Sequence, residues 1–249
     1  MAGQTVLVER ETSILRVTVD RPEVRNALSR AALKGIEATF RRHAEDPELR
    51  LCVLRGAGER SFAAGGDLKE LASLRTLGEA ATMAEEAKAA LAAVREMPVP
   101  VVAALNGDAL GGGAELALAC DFRVAAAQAR IGFIQGRLNI STGWGGGIDL
   151  VRRVGPGVAL RLMARAELLS AAEALRAGLV DEVAGDGESL NEAVQRFAAP
   201  ILAQSPQVLR AFKAVVRTGS PEVETRLFAE TWVHEDHWAA VAKLASRKS

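Results

Sequence analysis

Tyrosine is absent from the 249 residues, so no phenol is present to carry a proton in any site the chain builds. Histidine occurs three times, at His43, His234 and His237, and never near a motif serine. With no G-x-S-x-G either, a serine triad is excluded. Cysteine occurs twice, as Cys52 and Cys120, both in apolar contexts and without C-x-x-C spacing. They read as reduced core residues of a cytoplasmic protein. Net charge is also missing: 31 basic residues balance 31 acidic ones, so the whole molecule has no electrostatic pull toward nucleic acid or a membrane surface. No apolar run approaches the roughly 18 residues of a membrane span. The start, Met1 to Thr5, shows neither a signal peptide nor an Arg-rich transit segment. There is no P-loop, and Gly143-Trp144-Gly145-Gly146-Gly147 fails the dinucleotide fingerprint because Ile148 follows it. His234-Glu235-Asp236-His237 is spaced H-x-x-H, without a third ligand in view, and reads as a solvated helix face.

What the chain does have is 49% hydrophobic residues, ample for a core, in an order that alternates strand and helix. Val6–Val8 and Ile14–Val19 read as strands joined by a polar turn over Glu9–Ser13. Ser29 is a candidate N-cap for a helix to about Glu45, with Leu33, Ile36 and Phe40 on one face. Leu51–Leu54 and Val99–Leu105 read as short buried strands, separated by an Ala/Glu/Lys-rich helix over residues 77–96 that Pro98 and Pro100 stop. Phe122–Ala125 is a further strand. After residue 147 the pattern is helical except for Leu179–Val183.

Two glycine-rich stretches, forty-odd positions apart, carry the functional information. The first is Ser61-Phe62-Ala63-Ala64-Gly65-Gly66-Asp67-Leu68-Lys69. The second is Ala109-Leu110-Gly111-Gly112-Gly113-Ala114-Glu115-Leu116-Ala117-Leu118-Ala119-Cys120-Asp121. Each places glycines ahead of a helix start, where N–H groups lack intrahelical partners and face the positive end of the dipole. Two such turns that converge can hold one developing oxyanion.

The pair resembles the enoyl-CoA hydratase/isomerase, or crotonase, family, over about residues 5–245. The shared features are the G-[AG]-D-[IL] ending of the first stretch and the G-G-G-x-E-L-A-x-x-x-D of the second. The resemblance implies an α/β fold: a crotonase-like (ClpP/crotonase) spiral of ββα units over residues 1–190, then a helical trimerisation region over 191–249. It implies a homotrimer or homohexamer, no metal, and coenzyme A present only as part of an acyl-CoA thioester substrate. By motif position the thioester oxygen falls between the N–H groups of Gly66, where many relatives have Ala, and Gly112. Glu115, one helical turn past Gly112, takes the place of the family's acid/base. No Lys or Arg stands at 111, 112 or 119 to pair with it on the helix.

The resemblance breaks at the second acid. Gly143-Trp144-Gly145-Gly146 fixes the register, and the family's second glutamate falls on Gln135. An amide cannot move a proton near neutral pH, so hydration by two carboxylates is in doubt. Phe133, Ile134 and Trp144 reshape the pocket, and this local texture resembles the ethylmalonyl-CoA decarboxylase branch. The sequence reading therefore favours decarboxylation of a short branched malonyl-CoA, with Glu115 protonated. The alternative is an enoyl-CoA hydratase or isomerase using Glu115 alone, and a further one is a non-catalytic relative that binds acyl-CoA or RNA. For coenzyme A the resemblance points to the Glu23–Leu28 stretch, including Arg25 and Ala27, and to Ala64, Asp67, Leu68 and Lys69. Arg25 or Lys69 could meet a phosphate or be plain surface cations.

Overall fold

The structure, a computed structural model, describes residues 5–246; Met1–Gln4, read above as free of a leader, lie outside them. Strand β1 (Val6–Glu11) pairs antiparallel with β2 (Ile14–Val19), Glu11 opposite Ile14, so the turn is confined to Thr12-Ser13. The sequence reading began that turn at Glu9. The strand runs on through Glu9, Arg10 and Glu11 with their side chains exposed, because β1 is a sheet edge, where charge is tolerated and discourages further pairing. Helix α1 (Arg30–His43) starts as expected: the Ser29 hydroxyl accepts from the Ala32 N–H at 3.1 Å, and Leu33, Ile36 and Phe40 are buried.

Three successive units of two strands and a helical segment then follow. They are β3 (Leu51–Gly56), β4 (Ser61–Ala63) and α2 (Leu68–Leu71) with α3 (Leu77–Glu96); β5 (Val101–Leu105), β6 (Asp108–Leu110) and α4 (Gly112–Ala119); and β7 (Phe122–Ala125), β8 (Arg130–Gly132) and α5 (Gly146–Val154) with α6 (Pro156–Ala164). The first strands of the units lie parallel in one sheet and the second strands parallel in another, so the chain winds as a spiral. After β9 (Leu169–Ser170), α7 (Ala171–Arg176) and β10 (Glu182–Val183), the sheets are complete, in the orders β1-β2-β3-β5-β7-β10 and β4-β6-β8-β9. Helices α8 (Leu190–Leu202), α9 (Pro206–Thr218), α10 (Pro221–Val233) and α11 (Glu235–Ser246) end the described chain.

The larger sheet is buried on both faces, which is why β3 and β5 read as continuous apolar runs. Cys52, Leu54, Val101 and Ala103 face the core under α1, α3 and α4, while Leu51, Val53, Val102 and Ala104 meet Ala193, Val194 and Ala198 of α8. Cys52 and Cys120 are free thiols, as the sequence suggested, and burial pushes Cys120 up to about 12, which makes it unreactive. His237 stacks against Trp232, ring centroids 4.7 Å apart, and His234 lies beside Gln207 and Asp236. No helix among the described residues is long and apolar enough to cross a membrane.

Arg123 on β7 is the largest polar group inside. Its guanidinium donates to the carbonyls of Leu179, Cys120, Ala117 and Asp121 and pairs with Asp181 at 3.0 Å. It thereby ties β7 to the segment leading into β10. Arg123→Met removes every one of these donors and leaves Asp181 with a lost partner, so urea unfolding should show a destabilisation of about 3–5 kcal/mol. A loss below about 1 kcal/mol would mean the network is peripheral to stability.

Candidate active site

The parallel pairing of β4 with β6, Ser61 opposite Asp108 and Ala63 opposite Ala109, makes both strands run out at the same end. Each runs directly into a glycine stretch. Gly65 (φ +104°) and Gly111 (φ +54°) turn the chain through left-handed backbone that a side chain would strain. The turns touch: a Cβ on Gly65 would lie 3.2 Å from the Leu110 oxygen and 3.6 Å from the Gly112 nitrogen. The first turn is anchored on the chain before α1, since Gly65 accepts from the Leu28 N–H and Leu28 accepts from the Asp67 N–H. The N–H groups of Gly66 and Gly112 donate to nothing among the described residues. Two free donors thus stand side by side, one of them at the N-terminus of α4, ready for one oxygen that carries negative charge.

Glu115, one turn into α4, is 2% exposed and faces donors only. Its Oε2 accepts from the Trp144 and Gly146 N–H groups, both at 2.9 Å. Its Oε1 accepts from the Gln135 amide at 2.9 Å and from the Gly143 N–H at 3.5 Å. The last of these turns opens α5, whose first residue is Gly146, so the carboxylate sits at a second helix N-terminus. Only glycine fits there, because a Cβ on Gly146 would fall 2.5 Å from Glu115 Cα. Burial raises the Glu115 pKa above the ordinary carboxylate range, and the N–H groups of Gly146, Trp144 and Gly143 and the Gln135 amide oppose that rise.

Gln135 opens a short 3-10 turn after β8 and is itself buried. Its Nε2 must face Glu115, since an ionised carboxylate can only accept. That leaves Gln135 Oε1 buried and without a partner among the described residues. Phe133 and Trp144 are buried as well, and the Trp144 indole packs against Gly66 and Gly112. The structure therefore brings Gly66, Gly112, Glu115, Gln135 and Trp144 into one cluster.

The residues assigned to coenzyme A by resemblance lie around the first turn. Arg25 and Lys69 are exposed, Leu68 is 60% exposed, and Ala27 and Ala64 are half-buried. The Arg25 carbonyl accepts from the Ala64 N–H, and the Ala27 carbonyl accepts from Arg21. The Asp67 carboxylate is already engaged: it caps α2 through the N–H groups of Lys69 and Glu70 and pairs with Arg21 at 2.9 Å. Sequence reasoning missed the backbone donors of residues 143–146 and the Arg95–Asp149 pair behind them, where Arg95 Nε donates to Asp149 at 2.7 Å and its Nη2 to the Trp144 carbonyl at 3.4 Å. The run Gly145-Gly146-Gly147 was the one available signal, since such a run lets backbone approach closely.

Fold and site together define an α/β spiral with two neighbouring unpaired backbone N–H groups and, among the described residues, one buried carboxylate. The model of the family Enoyl-CoA hydratase/isomerase matches residues 9–243. Crotonyl-CoA hydratase of Syntrophomonas wolfei is 36% identical over 219 residues, covering 88% of this chain and 84% of that protein. Short-chain-enoyl-CoA hydratase of Clostridium acetobutylicum is 34% identical, covering 100% of this chain and 97% of that protein. The crystal structure of enoyl-CoA hydratase from Bacillus anthracis superposes with a TM-score of 0.92 at 31% identity, covering 98% of this chain and 97% of that one. The chain belongs to the enoyl-CoA hydratase/isomerase family and has its crotonase-like fold.

A raised pKa has a consequence for stability. The folded protein holds the Glu115 proton more tightly than the unfolded chain does. The group's stabilising contribution is therefore full below the unfolded value of about 4.3 and is lost as pH rises through the folded pKa. Glu115→Gln does not titrate, and its amide can accept from Trp144 and Gly146 while donating to a turned Gln135. Its melting temperature relative to the native chain should rise through that pH window and then level off. Melting curves from pH 4 to pH 8 check this, and a native chain that gains on the variant toward neutral pH would show that the four donors outweigh burial.

Proposed function

We propose that the chain hydrates a 2-enoyl-CoA with Glu115 as the only proton carrier. The observation that carries this reading is the buried, unpartnered Gln135 Oε1 beside the Glu115 carboxylate, on the helix that Gly112 opens. Water enters with one hydrogen toward Glu115 and the other toward Gln135 Oε1. Its oxygen attacks the β-carbon, and Glu115 takes the first proton. The double-bond electrons move onto the thioester oxygen, where the Gly66 and Gly112 N–H groups meet the new charge. Glu115 then returns the proton to the α-carbon. One carboxylate suffices, because hydration removes and restores one proton. Coenzyme A enters as part of the substrate, with Arg25 and Lys69 as the cations able to meet its phosphates.

The sequence reading preferred decarboxylation, which needs a protonated Glu115 to avoid repelling the substrate carboxylate. Four donors and no acceptor face the Glu115 oxygens, so the ionised form fits the arrangement better even though burial raises its pKa. The relatives quoted above are also named as hydratases. Mass spectrometry of products from crotonyl-CoA, a 3-enoyl-CoA and ethylmalonyl-CoA decides among the readings. Gain of water by crotonyl-CoA is expected, with kcat reduced about a hundredfold or more by Glu115→Gln. Gln135→Glu should raise it about tenfold or more, since two adjacent carboxylates share a proton and act as acid and base. Loss of CO₂ from ethylmalonyl-CoA without hydration, or a double-bond shift alone, would overturn the proposal.

The same reading includes assembly into a trimer or hexamer. Of the apolar residues expected to cover a neighbour, all on α10, Val223, Leu227 and Thr231 are half-buried, whereas Phe228 and Trp232 are exposed. Phe228 is 61% exposed, and Phe212 and Val216 on α9 extend the uncovered face. Helix α8 packs on the large sheet, so the free face begins after it. Light scattering should give three or six times the 26.3 kDa chain mass, and a monomer at micromolar concentration would refute the assembly.

A further inference from the structure

We propose that the Trp144 indole is the end wall of the acyl pocket and limits the site to short acyl chains. This rests on the acyl-CoA reading of the site and names its substrate range. The ring's position is fixed by what it touches. A Cβ built on Gly112 would come within 2.8 Å of three ring atoms, and one built on Gly66 would lie 3.4 Å from two. The six-membered edge of the ring therefore packs against both Gly66 and Gly112. The Trp144 backbone N–H donates to Glu115 Oε2 at 2.9 Å, so the residue starts beside the carboxylate and its ring reaches across to the two glycines. A thioester oxygen between Gly66 and Gly112, with its α-carbon in reach of Glu115, lays the acyl group along that ring. A longer chain has to pass it.

The wall cannot easily retreat. The Trp144 N–H is held by Glu115 and its carbonyl by Arg95, which is paired with Asp149. Gly145 follows in left-handed backbone, packed so closely that a Cβ there would be 3.0 Å from the Arg95 guanidinium. The same Cβ on Gly66 would lie 2.9 Å from Leu71 Cδ1, so Leu71 packs beside the ring on that face of the turn. Trp144 is 7% exposed, which means the indole is packed in place rather than free to swing into solvent.

Saturated acyl-CoAs test the wall without any chemistry, since they cannot be hydrated. Calorimetry with butyryl-, hexanoyl- and octanoyl-CoA reads the pocket directly. An open apolar pocket gains about fourfold in affinity for each methylene buried. The native chain should gain nothing beyond butyryl-CoA, whereas Trp144→Ala should bind octanoyl-CoA roughly tenfold or more tightly than butyryl-CoA. Trp144→Phe, a smaller change for the fold, should fall between them, and circular dichroism reports whether each variant is folded. The kcat/KM values for the matching 2-enoyl-CoAs should follow the same order. A native chain that gains affinity steadily out to octanoyl-CoA, or folded variants with an unchanged octanoyl-to-butyryl ratio, would overturn the proposal. Failure of all three proteins to bind any acyl-CoA would remove the site itself, a result distinct from binding that ignores chain length.

Discussion

A parallel pairing two registers long, Ser61 with Asp108 and Ala63 with Ala109, is the contact on which the site depends. Strands of three residues make few ladder bonds, so side chains finish the job. The buried amides of Asn26 and Asn106 both donate to the Ser61 carbonyl, at 2.7 and 3.0 Å, and the Ser61 hydroxyl donates to the Asp108 carbonyl at 2.9 Å. Asn26 also fixes the turn before α1, accepting from the Arg21 N–H and donating to the Ala57 carbonyl. One polar cluster therefore sets the height of β4, the neighbouring turn and the start of β6. Close approach completes the join, since Gly113 at the start of α4 packs so tightly on the Ala63 backbone that a Cβ there is excluded.

Two helix N-termini then divide the electrostatic work. In the proposed reaction the free N–H at the start of α4 meets the oxygen that gains charge. The start of α5 is spent on charge already present, the Glu115 carboxylate. Burying a lone carboxylate is costly unless its oxygens are hydrogen-bonded, and here every donor but one is backbone. Backbone donors on pinned turns need no reorganisation when charge moves, which is the condition under which they favour a transition state over a ground state. The Arg95–Asp149 pair behind the 143–146 turn supplies the pinning for one of the two sets.

Much of this was legible in the sequence where the signal was periodic or where a side chain carried it. Helices over 30–43 and 77–96, the buried runs at 51–56 and 101–105, and the helix after Gly112 follow from apolar spacing, N-caps and proline stops. The smaller sheet was invisible, because β4, β6, β8 and β9 have two or three residues each and cannot show an alternation. Yet that sheet is what makes the glycine turns neighbours. The order of the motifs suggested convergence only through resemblance to a family. The partners of Glu115 escaped for a different reason: N–H groups of residues 143, 144 and 146 are the same in every sequence, and only the fold selects which ones face inward.

Gln135 is where the family pattern and this chain part, and the geometry explains why an amide can stand there. A carboxylate at that position, 2.9 Å from Glu115, would force the two to share a proton. With an amide the Glu115 charge is instead stabilised by a neutral donor, and the site holds one titrating group rather than a coupled pair. The amide is also ambidextrous: its nitrogen serves the ionised Glu115, and its oxygen is left over. In the proposed hydration the nitrogen keeps its hold on Glu115 while the left-over oxygen accepts the second hydrogen of the attacking water, two tasks that an apolar residue at this position could not do.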